Sequence, residues 1–329
     1  MVKISVIVIV HDRVDFIGRA VDSVLENLND FTDYEVIVVK YANNIQIIDL
    51  LNSRPVKVIS CPEVSPAEKL IAGIEASEGE VLLFLEDDDI FKPEKLEKVK
   101  GLFENHPDAI YLHNSYETID ESGMNIAGMD ASMRDRTSHL VKRDGRVKSL
   151  SGLISKNMFF NLSCCSVKRD LILENKQILL ETPFSLDFLI FLLAYRSGKT
   201  MIFTPEAYTL YRRHSSYSND TASFEGFIST ATRSDEAYLK DIERMIRYFR
   251  ESDISDVIQA QSLRFLAASM ILRGGWSFSD KINTAINLWK LTVKTGMSHF
   301  YKIVLALIFS SVFPSLSKKA IYIYRKGLS

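Results

Sequence analysis

From Ile4 to His113 the apolar positions follow two alternating periods. Ile4–Val10 is a continuous apolar, β-branched run of strand length, the pattern of a strand covered on both faces. Val14, Ile17, Val21, Val24, Leu25 and Leu28 then repeat at helical spacing, with Asp12 placed to cap that helix. Further strands are predicted at Tyr34–Val39, Val56–Ser60, Val81–Leu85 and Ala109–His113. Between them lie a helix at Ala67–Ala76 and another, opened by Pro93, at Glu94–Asn105. This alternation predicts an α/β fold of βαβ units with a mainly parallel sheet and ligands at the carboxyl ends of its strands.

Residues 120–155 break the pattern. They hold Gly123, Gly128, Gly145 and Gly152 among scattered charges and predict a long loop, the kind of segment that serves as a lid or an acceptor-binding element. Phe159–Val167 then predicts a strand, Ser185–Arg196 an amphipathic helix, Thr200–Phe203 a strand and Tyr208–His214 an edge segment. From Phe224 the periodicity is helical, with helices predicted at Ala237–Phe249, Ile254–Leu272, Lys281–Thr295 and Phe300–Phe313. The division this suggests is a catalytic domain over 1–218 and a helical region over 219–329.

Composition changes the picture mainly through charge. A net charge of −2 argues against a nucleic-acid binder. It conceals an asymmetry: residues 275–329 carry eight Lys/Arg against one acid, Asp280, a balance of +7 that leaves −9 on the rest. Lys281, Lys290 and Lys294 border an apolar stripe of Ile282, Ile286, Trp289 and Val293, and Phe300 opens a second apolar helix. Basic amphipathic segments with aromatic residues suit an anionic membrane surface. The other reading is a bundle that packs on the body or forms a homodimer. The apolar run Ile303–Phe313 is about half a membrane span and stops at Pro314. Cys61, Cys164 and Cys165 form neither a disulfide framework nor a CxxC metal pair. With no leader-like segment, these features place the protein in the cytoplasm, peripheral at the inner face of the cell membrane.

The chemistry concentrates at Glu86-Asp87-Asp88-Asp89, which ends the predicted strand Val81–Leu85. Adjacent carboxylates repel, and a divalent cation relieves that repulsion. Carboxylate oxygens suit Mg²⁺ or Mn²⁺, which keep waters and bind substrate phosphates. A solvated acidic turn ahead of Pro93 is the alternative.

The motifs around this run resemble those of glycosyltransferase family 2. The chain has Ser5-Val-Ile-Val-Ile-Val-His-Asp-Arg13, Tyr34-Glu-Val-Ile-Val-Val39 and Gly79-Glu-Val-Leu-Leu-Phe-Leu-Glu-Asp-Asp-Asp89, with Pro93 following. Later come Asp187-Phe-Leu-Ile-Phe-Leu-Leu-Ala-Tyr-Arg-Ser-Gly-Lys199 and Tyr211-Arg-Arg-His214. The similarity runs from about residue 3 to 218, and its strength is the order and spacing of the motifs together.

The resemblance implies a GT-A fold and an inverting transfer of sugar from a nucleotide-diphosphate donor to a lipid-linked or glycan acceptor. It implies Asp88 as the metal ligand of a DxD-type motif, with Glu86 and Asp87 on the donor side, and Asp187 as general base. His214 is a further metal or phosphate ligand. Of Arg212 and Arg213, which alternate along the segment, one is a phosphate contact, taken here as Arg213, and His11, Asp12 and Arg13 are nucleoside contacts. Three positions depart from the family pattern. Lys40 stands where an Asp is usual after the second strand, Leu186 replaces an acid before Asp187, and Lys69-Leu-Ile-Ala-Gly-Ile74 lacks the usual Arg-Asn. Lys69 is then the candidate for the missing phosphate contact. The rival class is a non-catalytic GT-A-like nucleotide-sugar-binding or scaffold protein.

Overall fold

The computed structural model describes residues 2–11, 14–28, 33–42, 45–63, 65–126, 138–214 and 223–327. Asp12 and Arg13 lie outside the described residues. The chain forms two compact units, Met1–Arg143 with Lys156–Arg212, and Asp144–Ser155 with Arg213–Ser329.

The first unit is built on a sheet. Its elements begin β1 (Ile4–Ile9), α1 (Val14–Leu25), β2 (Tyr34–Tyr41), α2 (Ile45–Leu51), β3 (Lys57–Cys61), α3 (Pro66–Glu75) and β4 (Val81–Glu86). They continue with β5 (Ile90–Phe91), α4 (Lys95–Asn105), β6 (Ala109–Ile119) and β7 (His139–Val141). After α5 (Val147–Ser155), which belongs to the second unit, come β8 (Cys165–Lys168), α6 (Arg169–Glu174), α7 (Lys176–Glu181), α8 (Leu186–Arg196) and β9 (Thr200–Arg212).

The strand order is β3-β2-β1-β4-β8-β6-β9-β5, with β7 also paired to β9. The pairs β1–β2, β1–β4, β2–β3 and β6–β9 are parallel, and β8 inserts antiparallel between β4 and β6. The mostly parallel sheet expected from the strand–helix alternation is present. Every residue of β1 is buried, as its unbroken apolar run predicts. One face of the sheet packs Val6, Val8, Leu83 and Leu85 with Ile17, Val21 and Val24 of α1 and Phe103 of α4. Each such side chain contributes roughly 1.5–3 kcal/mol of burial.

Two glycines set the spacing of layers. A Cβ on Gly73 of α3 would stand 2.6 Å from Ile7 Cγ2 and 2.8 Å from Val39 Cγ2, so the helix lies directly on β1 and β2. A Cβ on Gly79 would stand 2.5 Å from the backbone nitrogen of Ser5, where the chain enters β4 beside β1.

The structure corrects several expectations. The stretch 120–155 contains β7 and α5 rather than loop alone. Thr200–Phe203 and Tyr208–His214 join into one strand, β9, which lies inside the sheet instead of at its edge. Helix α8 is not amphipathic: Leu186 and Phe188–Tyr195 are all buried, so its apolar character runs around the helix.

The second unit is helical, with α5 joined by α9 (Phe224–Tyr248), α10 (Ser252–Arg273), α11 (Phe278–Thr295), α12 (Tyr301–Phe309) and α13 (Pro314–Gly327). Ser277 and Asp280 form a reciprocal capping box at the start of α11. Pro314 both ends one helical run and opens the next, because a proline at the first helical position gives up no hydrogen bond there. Among the described residues no helix is long and apolar enough to cross a membrane.

Candidate active site

Parallel pairing puts the carboxyl ends of β1 and β4 side by side, with Ile9 opposite Glu86. From β1 the chain passes to β2 and β3 on one side and then crosses back to β4 on the other side of β1, which makes this a topological switch point where open α/β sheets bind ligands. The acidic run sits here, and its four carboxylates do different work.

Asp87 is buried, and its Oδ2 accepts a hydrogen bond from the His11 backbone nitrogen at 2.6 Å. That bond ties the end of β1 to the acidic turn. Asp89 is also buried. Its Oδ1 accepts from the Arg212 backbone nitrogen at 2.9 Å and its Oδ2 from Asn161 Nδ2 at 2.8 Å. Glu86 and Asp88 are only half-buried and alternate with the two buried acids.

Charge crowding is visible in the proton affinities. Burial, then the charges of Asp88, Asp89 and Asp187, raise Glu86 well above the usual carboxylate range. Burial and Asp88 push Asp89 up to about 7 against the pull of its hydrogen-bond donors. Part of the repulsion is met by the protein itself. Lys95, fully buried at the start of α4, donates from Nζ to the Ser163 carbonyl at 2.6 Å and to Thr209 Oγ1 at 2.8 Å. Its charge and that of Asp89 attract, although burial lowers the ammonium to about 8.

Asp187 lies in the first turn of α8, half-buried, with Oδ1 accepting from the Phe188 backbone nitrogen at 2.7 Å. Burial raises it to about 6, while backbone N–H groups of Phe188 and Asn161 pull the other way. A carboxylate poised near neutrality is suited to accept a proton. Asn161 thus bridges the two acidic groups, its side chain on Asp89 and its backbone N–H toward Asp187. It holds a left-handed backbone at φ 75°, an uncommon conformation for a residue with a side chain.

Arg212, the last residue of β9, fastens the acidic turn from the other side. Its Nε donates to the Asp88 carbonyl at 2.8 Å, and one terminal nitrogen donates to the carbonyls of Asp120 and Glu121, both at 2.9 Å. Lys69 is buried on α3 and donates from Nζ to the Val10 carbonyl at 2.7 Å, so its ammonium stands at the carboxyl end of β1 beside His11. Lys40, fully buried at the end of β2, donates to its neighbours' carbonyls at Tyr41 and Ala42.

The first unit therefore gathers His11, Lys69, Glu86, Asp87, Asp88 and Asp187 around one end of its sheet. Arg213 and His214 are half-buried and belong to the second unit. The sequence offers Arg212 only beside Arg213 as an alternative phosphate contact, and gives no signal for Asn161 or Lys95 as site residues. Asn161 sat inside a predicted strand and Lys95 inside a predicted helix.

Among the described residues no three His, Cys, Asp or Glu side chains are grouped as a metal cage. The donor set still fits Mg²⁺ or Mn²⁺, because such ions are held by one or two carboxylates together with substrate phosphates and water. Burial and then the neighbouring acids Asp88, Asp89 and Asp187 raise the proton affinity of Glu86, the half-buried carboxylate beside Asp88.

A Rickettsia bellii protein described as an uncharacterized glycosyltransferase is 30% identical over 134 residues, 39% of this chain and 19% of that protein. A Haemophilus influenzae protein of the same description is 36% identical over 98 residues, 29% of this chain and 33% of its own. The chain thus matches about a fifth to a third of the length of these curated relatives. Among solved structures, S. aureus TarS 1-349 in complex with UDP-GlcNAc superposes with a TM-score of 0.54 at 16% identity, covering 94% of this chain and 91% of that one. The same TarS segment with UDP gives 0.52 at 16% identity, covering 94% and 90%. These likenesses show the GT-A-type fold. The profile of Glycosyl transferase family 2 matches residues 5–171, half of the chain, and the chain belongs to that family.

Proposed function

We propose that the protein is a glycosyltransferase that moves a sugar from a nucleotide-diphosphate donor to an acceptor hydroxyl with inversion. The observation that carries this reading is the pairing of two acidic centres at one end of the sheet. The Glu86–Asp89 turn lies at the switch point, and Asp187 acts on it electrostatically from α8. Binding of nucleotide by the TarS fold with UDP-GlcNAc and with UDP supports a donor of that class.

The roles follow from accessibility and chemistry. Asp88 and Glu86, the half-buried pair, hold the divalent cation, Mg²⁺ or Mn²⁺. When bound, that ion offsets charge developing on the leaving diphosphate. Asp87 fixes His11, and with Lys69 it shapes the donor side at the end of β1. Asp12 and Arg13, which follow His11 in sequence, contact the nucleoside. Asp187 takes the proton from the acceptor hydroxyl as its oxygen attacks the anomeric carbon and the nucleoside diphosphate departs. Asn161 and Arg212 position the carboxylates without touching substrate. We assign the acceptor to lipid-linked or cell-surface glycan precursors, met at the inner face of the cell membrane by a cytoplasmic, peripherally attached enzyme.

A thermal-shift screen of nucleoside diphosphates and their sugar conjugates, with and without Mn²⁺, tests the donor assignment. Metal-dependent stabilisation by at least one nucleotide, together with release of nucleoside diphosphate on adding acceptor, is the expected result. Binding without any turnover across a broad acceptor panel would favour the scaffold reading. No nucleotide-dependent shift at all would reject the donor site.

A further inference from the structure

The second unit carries apolar surface that its own fold does not use. In α12, Val304 and Leu307 are buried, and Phe300 just before the helix is only 2% exposed. Phe300 is therefore a core residue, not the membrane-entering residue expected from sequence. The outward residues are nevertheless apolar too. Leu305, Ile308, Phe309, Val312, Phe313 and Leu316 are between 42% and 65% exposed. Their spacing repeats every three to four residues, and the Phe309 and Phe313 rings lie 4.9 Å apart, so the stripe continues past the end of α12 toward α13.

We propose that this stripe at the α12–α13 junction is a membrane-docking edge, which lies in the interface of an anionic bilayer. Two observations select that occupant. First, after Asp280 the chain has no acidic residue, while Lys302, Lys318 and Lys319 flank the stripe. Positive charge around an apolar strip complements anionic headgroups over acyl chains. Second, the same charge pattern disfavours a second copy of the chain. A two-fold contact would set this edge against itself and bring lysines to lysines, with no carboxylate from α12 or α13 to offset them. The helices are too short and too lightly apolar to cross the bilayer, so the attachment is in-plane. This edge belongs to the helical unit and does not depend on the reaction proposed for the sheet unit.

Flotation of the full chain with vesicles tests the edge without reference to turnover. Phosphatidylglycerol/phosphatidylcholine vesicles serve as the anionic probe and pure phosphatidylcholine as the neutral one. The parent chain floats with anionic vesicles, and its partitioning falls but persists as salt rises, since only the electrostatic part is screened. Val312→Asp, at an exposed position that leaves folding intact, lowers partitioning at least tenfold with an unchanged melting temperature. Lys319→Gln lowers it by about fivefold, the loss of one headgroup-level charge. Equal partitioning of parent and Val312→Asp overturns the proposal. So does failure of the folded parent to float, or a dimer seen by sedimentation that Val312→Asp dissociates.

Discussion

At the scale of single residues, Asp187 shows most clearly that function and stability pull apart. Its folded-state proton affinity is raised to about 6 by burial. A carboxyl raised above its unfolded value binds its proton more tightly when folded. Its ionisation therefore costs stability increasingly as pH climbs from the unfolded pKa near 4 through about 6. Asp187→Asn should raise the melting temperature, more at pH 8 than at pH 4. It should lower turnover by roughly two to four orders of magnitude while leaving donor affinity nearly unchanged. In the parent, kcat/KM should rise with pH to a plateau with a midpoint near 6, because the base must be unprotonated. Calorimetric melts and a pH–rate series on both proteins check this. Equal losses of donor binding and turnover would indicate a structural or metal-ligand role for Asp187.

Residues also set the limit of what sequence could show. The acidic run and Asp187 were legible because each lies in a local pattern, acids after an apolar strand or at the start of an apolar helix. Their partners were not. Asn161 reaches Asp89 across 72 positions and Arg212 reaches it across 123, separations at which no local periodicity carries information. The long acidic run suggested a divalent cation to offset its charge, with a solvated acidic turn as the alternative. The fold shows two of the four acids already satisfied by backbone and side-chain donors.

At the scale of elements, the β1–β4 pairing aligns the site, and Gly79 guards it. The Gly79 nitrogen donates to Ser5 Oγ at 2.8 Å, and a Cβ there would meet Ser5 and Ile4 backbone, which cannot swing aside. Gly79→Ala should destabilise the protein by about 1–3 kcal/mol, measured by urea denaturation; an unchanged midpoint would mean that β1 and β4 are less closely apposed. Arg212→Leu should act through the turn instead. It strips donors from three carbonyls, at a cost of about 2–4 kcal/mol, and should weaken donor binding as well. Elements were read well where β-branched runs were buried on both faces, as in β1, β2 and β4. They were missed where tertiary contacts override weak local signals. Helix α5 contains Gly152 and three serines, and it is held by burial of Leu150, Ser151 and Ile154.

At the scale of the whole molecule, a sheet unit with an acidic site and a helical unit with a basic, apolar edge divide the chain's chemistry between them. The charge asymmetry foreshadowed that division, whereas the identity of the outward residues needed the folded helices. The central claim is that the acidic turn binds a nucleotide diphosphate through a divalent ion held by Asp88. The most direct test is isothermal titration of a nucleoside diphosphate into the full chain with Mn²⁺, then with chelator, for the parent and for Asp88→Asn. The account predicts binding by the parent that chelator abolishes, and little metal-dependent binding by the variant. Equal metal-dependent affinity in the two proteins would contradict it.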